Sequence, residues 1–183
     1  MSIKETADLL SQQQVIVYPT DTVWGIGGDA TNPNVVQRIY DLKKRADSKA
    51  LICLVHSVAM LRKYVKNVPK EALTYINADR PTTLIYQHAG GLANNLIAED
   101  GSIAIRIPKN QFCLDLINTF GKPIISTSAN LSGTPTPQNF NAIDPKILDA
   151  VDYIVPLQQQ KLMNQSSRIL KINTSGKIQT IRP

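Results

Sequence analysis

The densest group of chemically active side chains lies in residues 18–28, Y-P-T-D-T-V-W-G-I-G-G. A β-branched apolar run, 15–17, precedes it and predicts a buried strand. Thr20, Asp21 and Thr22 follow that strand, and each can hydrogen-bond a ligand or the local backbone. On its own, such a cluster is more often a plain strand and turn than a binding site.

A second group is basic: residues 43–49 read K-K-R-A-D-S-K between a predicted helix and an apolar strand. Arginine grips phosphate bidentately and lysine acts as a point charge, so Lys43, Arg45 and Lys49 have the chemistry to hold a triphosphate. The alternative is a solvated helix end. Neither the P-loop nor the Rossmann glycine pattern occurs between a strand and a helix, so a nucleotide would need another kind of site.

The third group is S-T-S-A-N-L-S-G over residues 126–133, with four hydroxyls and one amide directly after an apolar strand. Strand ends are frequent ligand sites, whereas an Asn/Ser turn with local capping is the alternative. Ser166, Ser167 and Arg168, together with Arg182, form a fourth group, for which the alternative is a plain edge hairpin.

Residues for covalent catalysis are scarce. The two cysteines lie in apolar surroundings, which predicts buried thiols, and neither His56 nor His88 is paired with a nucleophile. There is no H-E-x-x-H and no close carboxylate pair, so no metal site is predicted. An enzyme built on this sequence would work by positioning reactants and neutralising charge.

The elements that must position these groups alternate along the chain. The apolar patterns predict helices over residues 3–13, 33–44, 58–65, 70–77, 111–120 and 142–150. Besides 15–18, they predict strands over residues 51–55, 82–87, 102–107, 123–127, 153–155, 168–172 and 177–181, with a polar loop at 88–101. The crowding of strands at the C-terminus favours a mixed sheet flanked by helices.

Strand 102–107 carries a specific expectation. Its isoleucines alternate with Ser102, Ala104 and Arg106, which is the pattern of a half-buried strand with Arg106 on the face away from the isoleucines.

Composition sets broad limits. The 183 residues are 43% hydrophobic and 19% charged, as in ordinary globular domains. No apolar run could span a bilayer and residues 1–14 lack a signal-peptide pattern, so we expect a cytoplasmic protein. A net charge of +6 favours a polyanionic partner, either a nucleotide or a nucleic acid.

Four segments in order resemble the YrdC-like threonylcarbamoyl-AMP synthases: Y-P-T-D-T-V-W-G-I-G, K-K-R-A-D-S-K-A-L, I-A-I-R-I-P and S-T-S-A-N-L-S-G. The closing S-S-R-I-L and I-R-P are also similar to that family. The resemblance implies one YrdC-like domain over residues 1–183, the short bacterial form. Its fold would be α/β (α+β), a twisted mixed sheet flanked by helices around a basic concave groove.

The resemblance also implies a reaction: L-threonine, bicarbonate and ATP give threonylcarbamoyl-adenylate and diphosphate, with Mg²⁺ expected. The implied partners are proteins that place the product on tRNAs reading codons that begin with A. By position, catalytic groups would be Lys43, Arg45 and Lys49, and the nucleotide would contact Arg45, Lys49, Ser102, Ser128, Thr136 and Arg182. Threonine or its carbamate would contact Thr22, Arg106, Ser126, Asn130 and Ser167.

Three departures from the family pattern are visible. The W-P-G-P-x-T segment of the family reads A-D-R-P-T-T over residues 78–83, so Pro81 and Thr83 alone match. Ala50 replaces a proline, and Trp24 replaces a tyrosine. The first departure affects the pocket wall near residue 80.

A second hypothesis is a non-catalytic module that binds structured RNA through a basic groove. The net charge favours it, but the chain has six Tyr, three Phe and one Trp and no recognisable RNA-binding motif.

Overall fold

The structure, a computed structural model, describes residues 2–44 and 51–183. Within those residues one mixed sheet holds nine strands, in the order β7-β1-β2-β6-β3-β5-β4-β8-β9. In chain order they are β1 Ile16–Pro19, β2 Trp24–Gly27, β3 Ile52–Leu54, β4 Thr82–Tyr86, β5 Ile103–Arg106, β6 Ile124–Ser128, β7 Tyr153–Ile154, β8 Arg168–Ile172 and β9 Ile178–Arg182.

Six α-helices in the same residues flank the sheet. They are α1 Ile3–Ser11, α2 Pro33–Leu42, α3 Val58–Tyr64, α4 Lys70–Asn77, α5 Gln111–Phe120 and α6 Pro145–Ala150. Two 3₁₀ turns lie at Asn94–Leu96 and Phe140–Ala142. This architecture confirms the predicted mixed sheet flanked by helices.

Strand direction is mixed in a regular way. The pairs β1–β7, β3–β5 and β4–β8 are parallel, and the remaining neighbours are antiparallel. Two parallel neighbouring strands must be joined by a long crossover connection, and in this chain such connections contain helices and other strands. The C-terminal end of β6 therefore lies beside the N-terminal ends of β3 and β5.

Local signals set the helix starts. Asn32 caps α2 by accepting from Asn34 N, and Pro33 occupies the first turn, where its missing N–H costs nothing. Asn110 caps α5 in the same way by accepting from Cys113 N. Gly121 ends α5 with φ +76°, a conformation that glycine adopts without strain.

Several boundaries differ from the predictions. The first helix ends at Ser11, not at 13, and α2 ends at Leu42 because Lys44 takes φ +49°. The helix predicted over 142–150 begins only at Pro145, where Asp144 caps it. The predicted polar loop 88–101 includes the turn Asn94–Leu96, whose Leu96 is buried.

The half-buried character predicted for 102–107 is wrong. All four residues of β5 are buried, including Arg106. Arg106 does lie on the face opposite the isoleucines, as predicted, but Asp21 and Thr22 of the loop between β1 and β2 contact and cover its side chain. Burial of both faces is what an interior strand of a covered sheet experiences.

Both cysteines are buried, as predicted. Burial raises the pKa of the Cys53 and Cys113 thiols well above the ordinary range, which keeps them protonated. Neither thiol is therefore an activated nucleophile.

Candidate functional site

The turn between β1 and β2 is fixed by the hydroxyl of Thr20. Its Oγ1 accepts from Thr22 N at 3.0 Å and Val23 N at 3.2 Å, and donates to Val23 O at 2.7 Å. Such a threonine turn replaces backbone pairing where the strand ends. The turn carries Asp21 and Thr22 towards the end of β5.

Arg106 forms hydrogen bonds with the side chains of both Asp21 and Thr22. Its Nη1 donates to Asp21 Oδ1 at 2.5 Å and its Nη2 to Thr22 Oγ1 at 3.3 Å. The ion pair is buried, with 3% of the Arg106 side chain and 8% of the Asp21 side chain exposed. Among the described residues, Arg106 Nε has no hydrogen-bond partner although it is buried.

A cavity of about 240 Å³ lies beside this pair. Its floor follows one row of the sheet, because the strand register aligns Ser126 of β6, Ile52 of β3, Ala104 of β5 and Ile85 of β4. Polar groups surround this largely apolar floor. The lining consists of Thr22, Val23, Ile52, Ile85, Ala104, Arg106, Ser126, Thr127, Ser128, Thr136, Ser166, Ser167, Ile169, Ile181 and Arg182.

A second guanidinium faces the cavity from β9. Arg182 donates from Nε and Nη2 to Ser167 O, at 3.0 and 2.6 Å, and Ser167 Oγ lies 2.8 Å from Thr83 Oγ1. Partial burial, and then the nearby charge of Arg106, lower the pKa of Arg182. Arg106 and Arg182 are the charged side chains among the described lining residues, so the cavity favours an anion.

The loop after β6 is shaped from within. Ser128 Oγ donates to Asn130 Oδ1 at 2.5 Å, and Asn130 Nδ2 donates to Leu131 O and Thr134 O. The Asn130 side chain therefore holds the loop that presents Ser128 to the cavity. It does not line the cavity itself.

Lys43 also holds the loop after β6 in place, through hydrogen bonds to its backbone. Its Nζ donates to Ser128 O at 2.6 Å and to Asn130 O at 2.7 Å, while its own carbonyl accepts from Ser132 N. Only 2% of Lys43 is exposed, so the alternative of a solvated helix end is wrong at this residue. A contact between Lys43 and a nucleotide stays a prediction.

Ser102 lies apart from the cavity. Its N–H donates to Asp100 Oδ1 at 3.0 Å, and hydrogen bonds from the Ser102 hydroxyl, together with Lys171, hold the pKa of Asp100 well below its usual range. Ser102 and Arg106 stand four residues apart, roughly 13 Å along a strand. Ser102 lies at the end of β5 where the neighbouring β3 begins.

The predicted site residues thus fall into three sets. The cavity brings together Thr22, Arg106, Ser126, Ser128, Thr136, Ser167 and Arg182. Lys43, Ser102 and Asn130 lie outside its lining, in the environments just described. Arg45, Lys49 and Ala50 fall in 45–50, outside the described residues, so the structure says nothing about the predicted phosphate contacts there.

Two residues contact residues that the sequence analysis assigned to the other substrate. Arg182, predicted to contact the nucleotide, is bonded to Ser167, a predicted threonine contact. Asn130, predicted to shape the threonine pocket, lies in the loop of Ser128, a predicted nucleotide contact. A ligand that spans the cavity would meet both groups.

Sequence reasoning named Asp21 as a possible hydrogen-bonding residue but assigned it no role in the site. Its place between Thr20 and Thr22 was a weak signal, since an acidic residue in a turn is commonly a local cap. Its partner is 85 positions away in the sequence, and pairing across such a distance leaves no local pattern.

None of residues 78–83 lines the cavity, so the expected effect on a pocket wall near residue 80 is not seen; Pro81 and Thr83 instead contact the segment that leads into β8. Pro81 O accepts from Arg168 N at 2.9 Å, and Thr83 Oγ1 meets Ser167 Oγ. Arg168 also stacks on Tyr75, with its guanidinium carbon 5.0 Å from the ring centroid. Residues 78–80, which depart from the family pattern, make none of these contacts between the β4 and β8 regions.

This arrangement is suited to an anion and supplies hydroxyl donors, but its described lining offers no histidine or thiol. Neither histidine is among the cavity-lining residues, and both thiols are buried elsewhere. Within residues 2–44 and 51–183, no three His, Cys, Asp or Glu side chains are grouped so that they could hold a metal. In the same residues no helix is long and apolar enough to cross a membrane.

The chain is similar to several known proteins. A threonylcarbamoyl-AMP synthase of Vibrio parahaemolyticus serotype O3:K6 is 33% identical over 152 residues, covering 81% of this chain and 82% of that protein. A threonylcarbamoyl-AMP synthase of Enterobacter sp. strain 638 is 33% identical over 138 residues, covering 73% of each.

Solved structures share the fold. P. abyssi Sua5 complexed with L-threonine superposes with a TM-score of 0.81 at 24% identity, covering 93% of this chain and 50% of that one. E. coli YciO gives 0.82 at 20% identity, covering 98% and 87%. The family model for Sua5, YciO and YrdC, described as Telomere recombination, matches residues 8–183. The chain therefore belongs to the Sua5/YciO/YrdC family.

Proposed function

We propose that this protein is a threonylcarbamoyl-AMP synthase, which makes threonylcarbamoyl-adenylate from L-threonine, bicarbonate and ATP and releases diphosphate. The relatives from Vibrio and Enterobacter carry this activity in their names. The observation that carries the proposal is Arg106, a buried guanidinium that lines the cavity and has an unpartnered Nε.

Threonine would bind at the Arg106 end of the cavity. A planar carboxylate matches the edge of a guanidinium, and the hydroxyls of Thr22 and Ser167 lie close by. Ser126 lies at the β6 edge of the cavity floor. The P. abyssi protein, whose fold this chain shares, was crystallised with L-threonine.

ATP would extend from the threonine end towards Ser128 and the start of β3. Ser128 ends β6, and the antiparallel pairing of β6 with β3 sets it near the N-terminal end of β3. Arg45 and Lys49, which precede β3 in the sequence, would neutralise the triphosphate, with Ser102 and Thr136 contacting the nucleotide. The like charge of Arg182 would add to this neutralisation.

The chemistry needs no covalent enzyme intermediate. Bicarbonate would yield CO₂ and hydroxide, the threonine α-amine would add to the carbon of CO₂, and the proton that it loses would combine with the hydroxide to form water. A carbamate oxygen would then displace diphosphate from the α-phosphorus of ATP. The protein would hold the two reactants in line and neutralise the leaving diphosphate. Arginines and hydroxyls suit this task, and an activated thiol or histidine is not required.

Mg²⁺ would enter as part of the MgATP substrate. The described lining supplies hydroxyl oxygens but no carboxylate, since Asp21 is paired with Arg106 outside the lining. Magnesium usually reaches such sites through substrate phosphates and its own waters, which this donor set allows.

The product would pass to proteins that transfer the threonylcarbamoyl group to tRNA. A carbamoyl-phosphate anhydride hydrolyses in water, so its consumer must take it promptly. We infer a cytoplasmic location, because those tRNAs are modified there.

The test is diphosphate release by purified protein given ATP, Mg²⁺, bicarbonate and L-threonine. We expect release with threonine, and little with L-alanine or with no amino acid. Arg106→Gln should abolish most of the threonine-dependent release. The matched control is Arg38→Gln, which removes a surface ion pair with Asp152 and should leave release unchanged. Equal release with and without threonine would contradict the proposal.

A further inference from the structure

We propose that Asp21 is a positioning residue, which fixes the edge of the Arg106 guanidinium that is offered to the threonine carboxylate. This inference rests on the proposed function. Asp21 does not line the cavity, so it does not touch the substrate itself. It acts through Arg106, which does line it.

Both oxygens of the Asp21 carboxylate are used. Oδ1 accepts from Arg106 Nη1 at 2.5 Å, and Oδ2 accepts from Lys109 N at 3.1 Å. Arg106 ends β5 and Lys109 precedes α5, so one carboxylate joins the side chain to the loop that follows it. The Thr20 hydroxyl fixes the turn in which Asp21 sits.

The pairing leaves one edge of the guanidinium under-used. A guanidinium presents Nε and Nη2 side by side as a fork that fits a carboxylate. Asp21 occupies Nη1, outside that fork. Within the fork, Nε has no partner among the described residues and Nη2 makes only the 3.3 Å contact with Thr22. We assign this fork to the threonine carboxylate, which would supply the partner that the buried Nε lacks.

Asp21 also offsets the charge of a guanidinium that is almost fully buried. Removing one partner of a buried pair leaves the other charge uncompensated, and its side chain then turns towards any available acceptor. Loss of Asp21 thus has two opposite consequences. Misalignment of the fork weakens threonine binding, whereas a more positive pocket strengthens the attraction for any carboxylate.

The test is Asp21→Asn, an isosteric change that removes the charge. We expect the KM and the calorimetric Kd for threonine to rise about tenfold to a hundredfold, the effect of one charge-assisted hydrogen bond. The KM for ATP and kcat at saturating threonine should stay within about twofold. The matched control is Asp29→Asn: Asp29 is equally buried and pairs with Lys122, away from the cavity, so its threonine KM should not change.

Two further variants keep the result interpretable. Asp21→Glu retains the charge and both oxygens, and we expect it to keep most of the threonine affinity. In an Arg106→Gln background, adding Asp21→Asn should produce no further loss, because Asp21 acts through Arg106. This double variant carries no uncompensated buried charge, so it serves if Asp21→Asn alone does not fold.

A threonine KM for Asp21→Asn that is unchanged or lower would overturn the inference, since a lower KM is the signature of charge alone. A further loss in the Arg106→Gln background would also overturn it. Threonine Kd is measured without turnover, so wild-type protein that binds threonine but releases no diphosphate would contradict the proposed function alone. The comparison of Asp21 variants would still decide the role of Asp21.

Discussion

Two buried basic side chains, Lys43 and Arg106, use their charges in different ways. The Lys43 ammonium donates to the carbonyls of Ser128 and Asn130, so it holds backbone in place. Arg106 is bound by Asp21 at one nitrogen and keeps an unpartnered Nε beside a cavity. The first arrangement is that of an anchor and the second that of a ligand site.

The residue-scale prediction concerns Arg45 and Arg106, which we assign to different substrates. Arg106→Ala should weaken threonine binding about tenfold to a hundredfold, because a charge-assisted hydrogen bond contributes roughly 1.5–3 kcal/mol. Binding of a non-hydrolysable ATP analogue should change little. Arg45→Ala should do the reverse. Calorimetric titration of each variant, with the partner ligand absent and saturating, measures both effects.

Arg62→Ala is the control for this pair, since Arg62 is an exposed residue of α3 outside the cavity lining. It should leave both affinities within about twofold. If Arg45→Ala and Arg106→Ala lose both ligands equally while folded, the two arginines act as one electrostatic patch. The assignment of residues to substrates would then be wrong.

Sequence could predict which residues carry polar chemistry, but only partly where each one points. The family resemblance assigned Ser126 and Ser128 to a site, and both line the cavity, but so does Thr127 between them, which was not assigned. Lys43 is next to residues of similar charge, so nothing local predicted its burial. Asp21 pairs with a residue 85 positions away, and that contact depends on the packing of the whole sheet.

At the scale of elements, the anchor provided by Lys43 connects the end of α2 to the loop after β6. Its backbone carbonyl and its Nζ both bond that loop, at Ser132, Ser128 and Asn130. The end of α2 and the loop after β6 are thus held together by one residue.

Lys43→Met should therefore destabilise the protein as well as the site. Methionine fills a similar volume but leaves the carbonyls of Ser128 and Asn130 without this donor, which costs about 1–3 kcal/mol for a buried acceptor. We expect the free energy of unfolding in urea to fall by that amount. Lys171→Met, which removes an exposed pair with Asp100, should change it by less than about 1 kcal/mol.

A different result would assign Lys43 to the nucleotide instead of to the loop after β6. If Lys43→Met keeps its stability but loses binding of the ATP analogue, the lysine acts on the nucleotide directly, as the sequence predicted.

Gly27 in β2 is a second element-scale constraint, because a side chain there would strike its neighbours. An added Cβ would lie 2.6 Å from Tyr18 Cε1 and 2.7 Å from Ile125 O, and the latter is backbone that cannot turn aside. Gly27→Ala should lower the free energy of unfolding by about 1–3 kcal/mol, the usual cost of overpacking.

Gly90→Ala is the matched control for this change. No atom lies within 4 Å of its added Cβ, so its stability should stay within about 0.5 kcal/mol of wild type. Urea unfolding followed by circular dichroism measures both variants. Equal stability of Gly27→Ala and wild type would mean that β1, β2 and β6 are packed less tightly than described.

Elements with strong local signals were predictable from the sequence. Helix α4 at Lys70–Asn77 and strand β8 at Arg168–Ile172 have the predicted bounds. The start of α6 was not predictable, because the pattern of apolar residues continues on both sides of Pro145, where the helix begins. The complete burial of β5 was missed for another reason: alternation predicts which face a residue takes, but not whether a distant loop covers it.

At the scale of the whole molecule, the net charge of +6 is compatible with either substrate class. The described charges at the cavity are two arginines around a space of about 240 Å³. That volume is below the roughly 300–1,000 Å³ usual for ligand pockets, and it suits an amino acid with part of a nucleotide more than an RNA helix. A groove for duplex RNA would instead present basic groups along an open surface.

The dependence of binding and activity on salt distinguishes the two hypotheses for this net charge, an RNA-binding surface and a synthase site. Binding of RNA through 6–10 phosphate contacts should weaken about 10³–10⁵-fold between 50 and 200 mM salt, because each contact releases counterions. Threonine-dependent diphosphate release should fall by less than about tenfold, since few phosphates are involved and enclosed charges are weakly screened. Assays of release and of tRNA binding on one preparation, across the same salt series, measure both. If tRNA binds tightly at low salt and loses that affinity steeply while no adenylate forms at any salt, the excess charge serves RNA, and the cavity is not a synthase site.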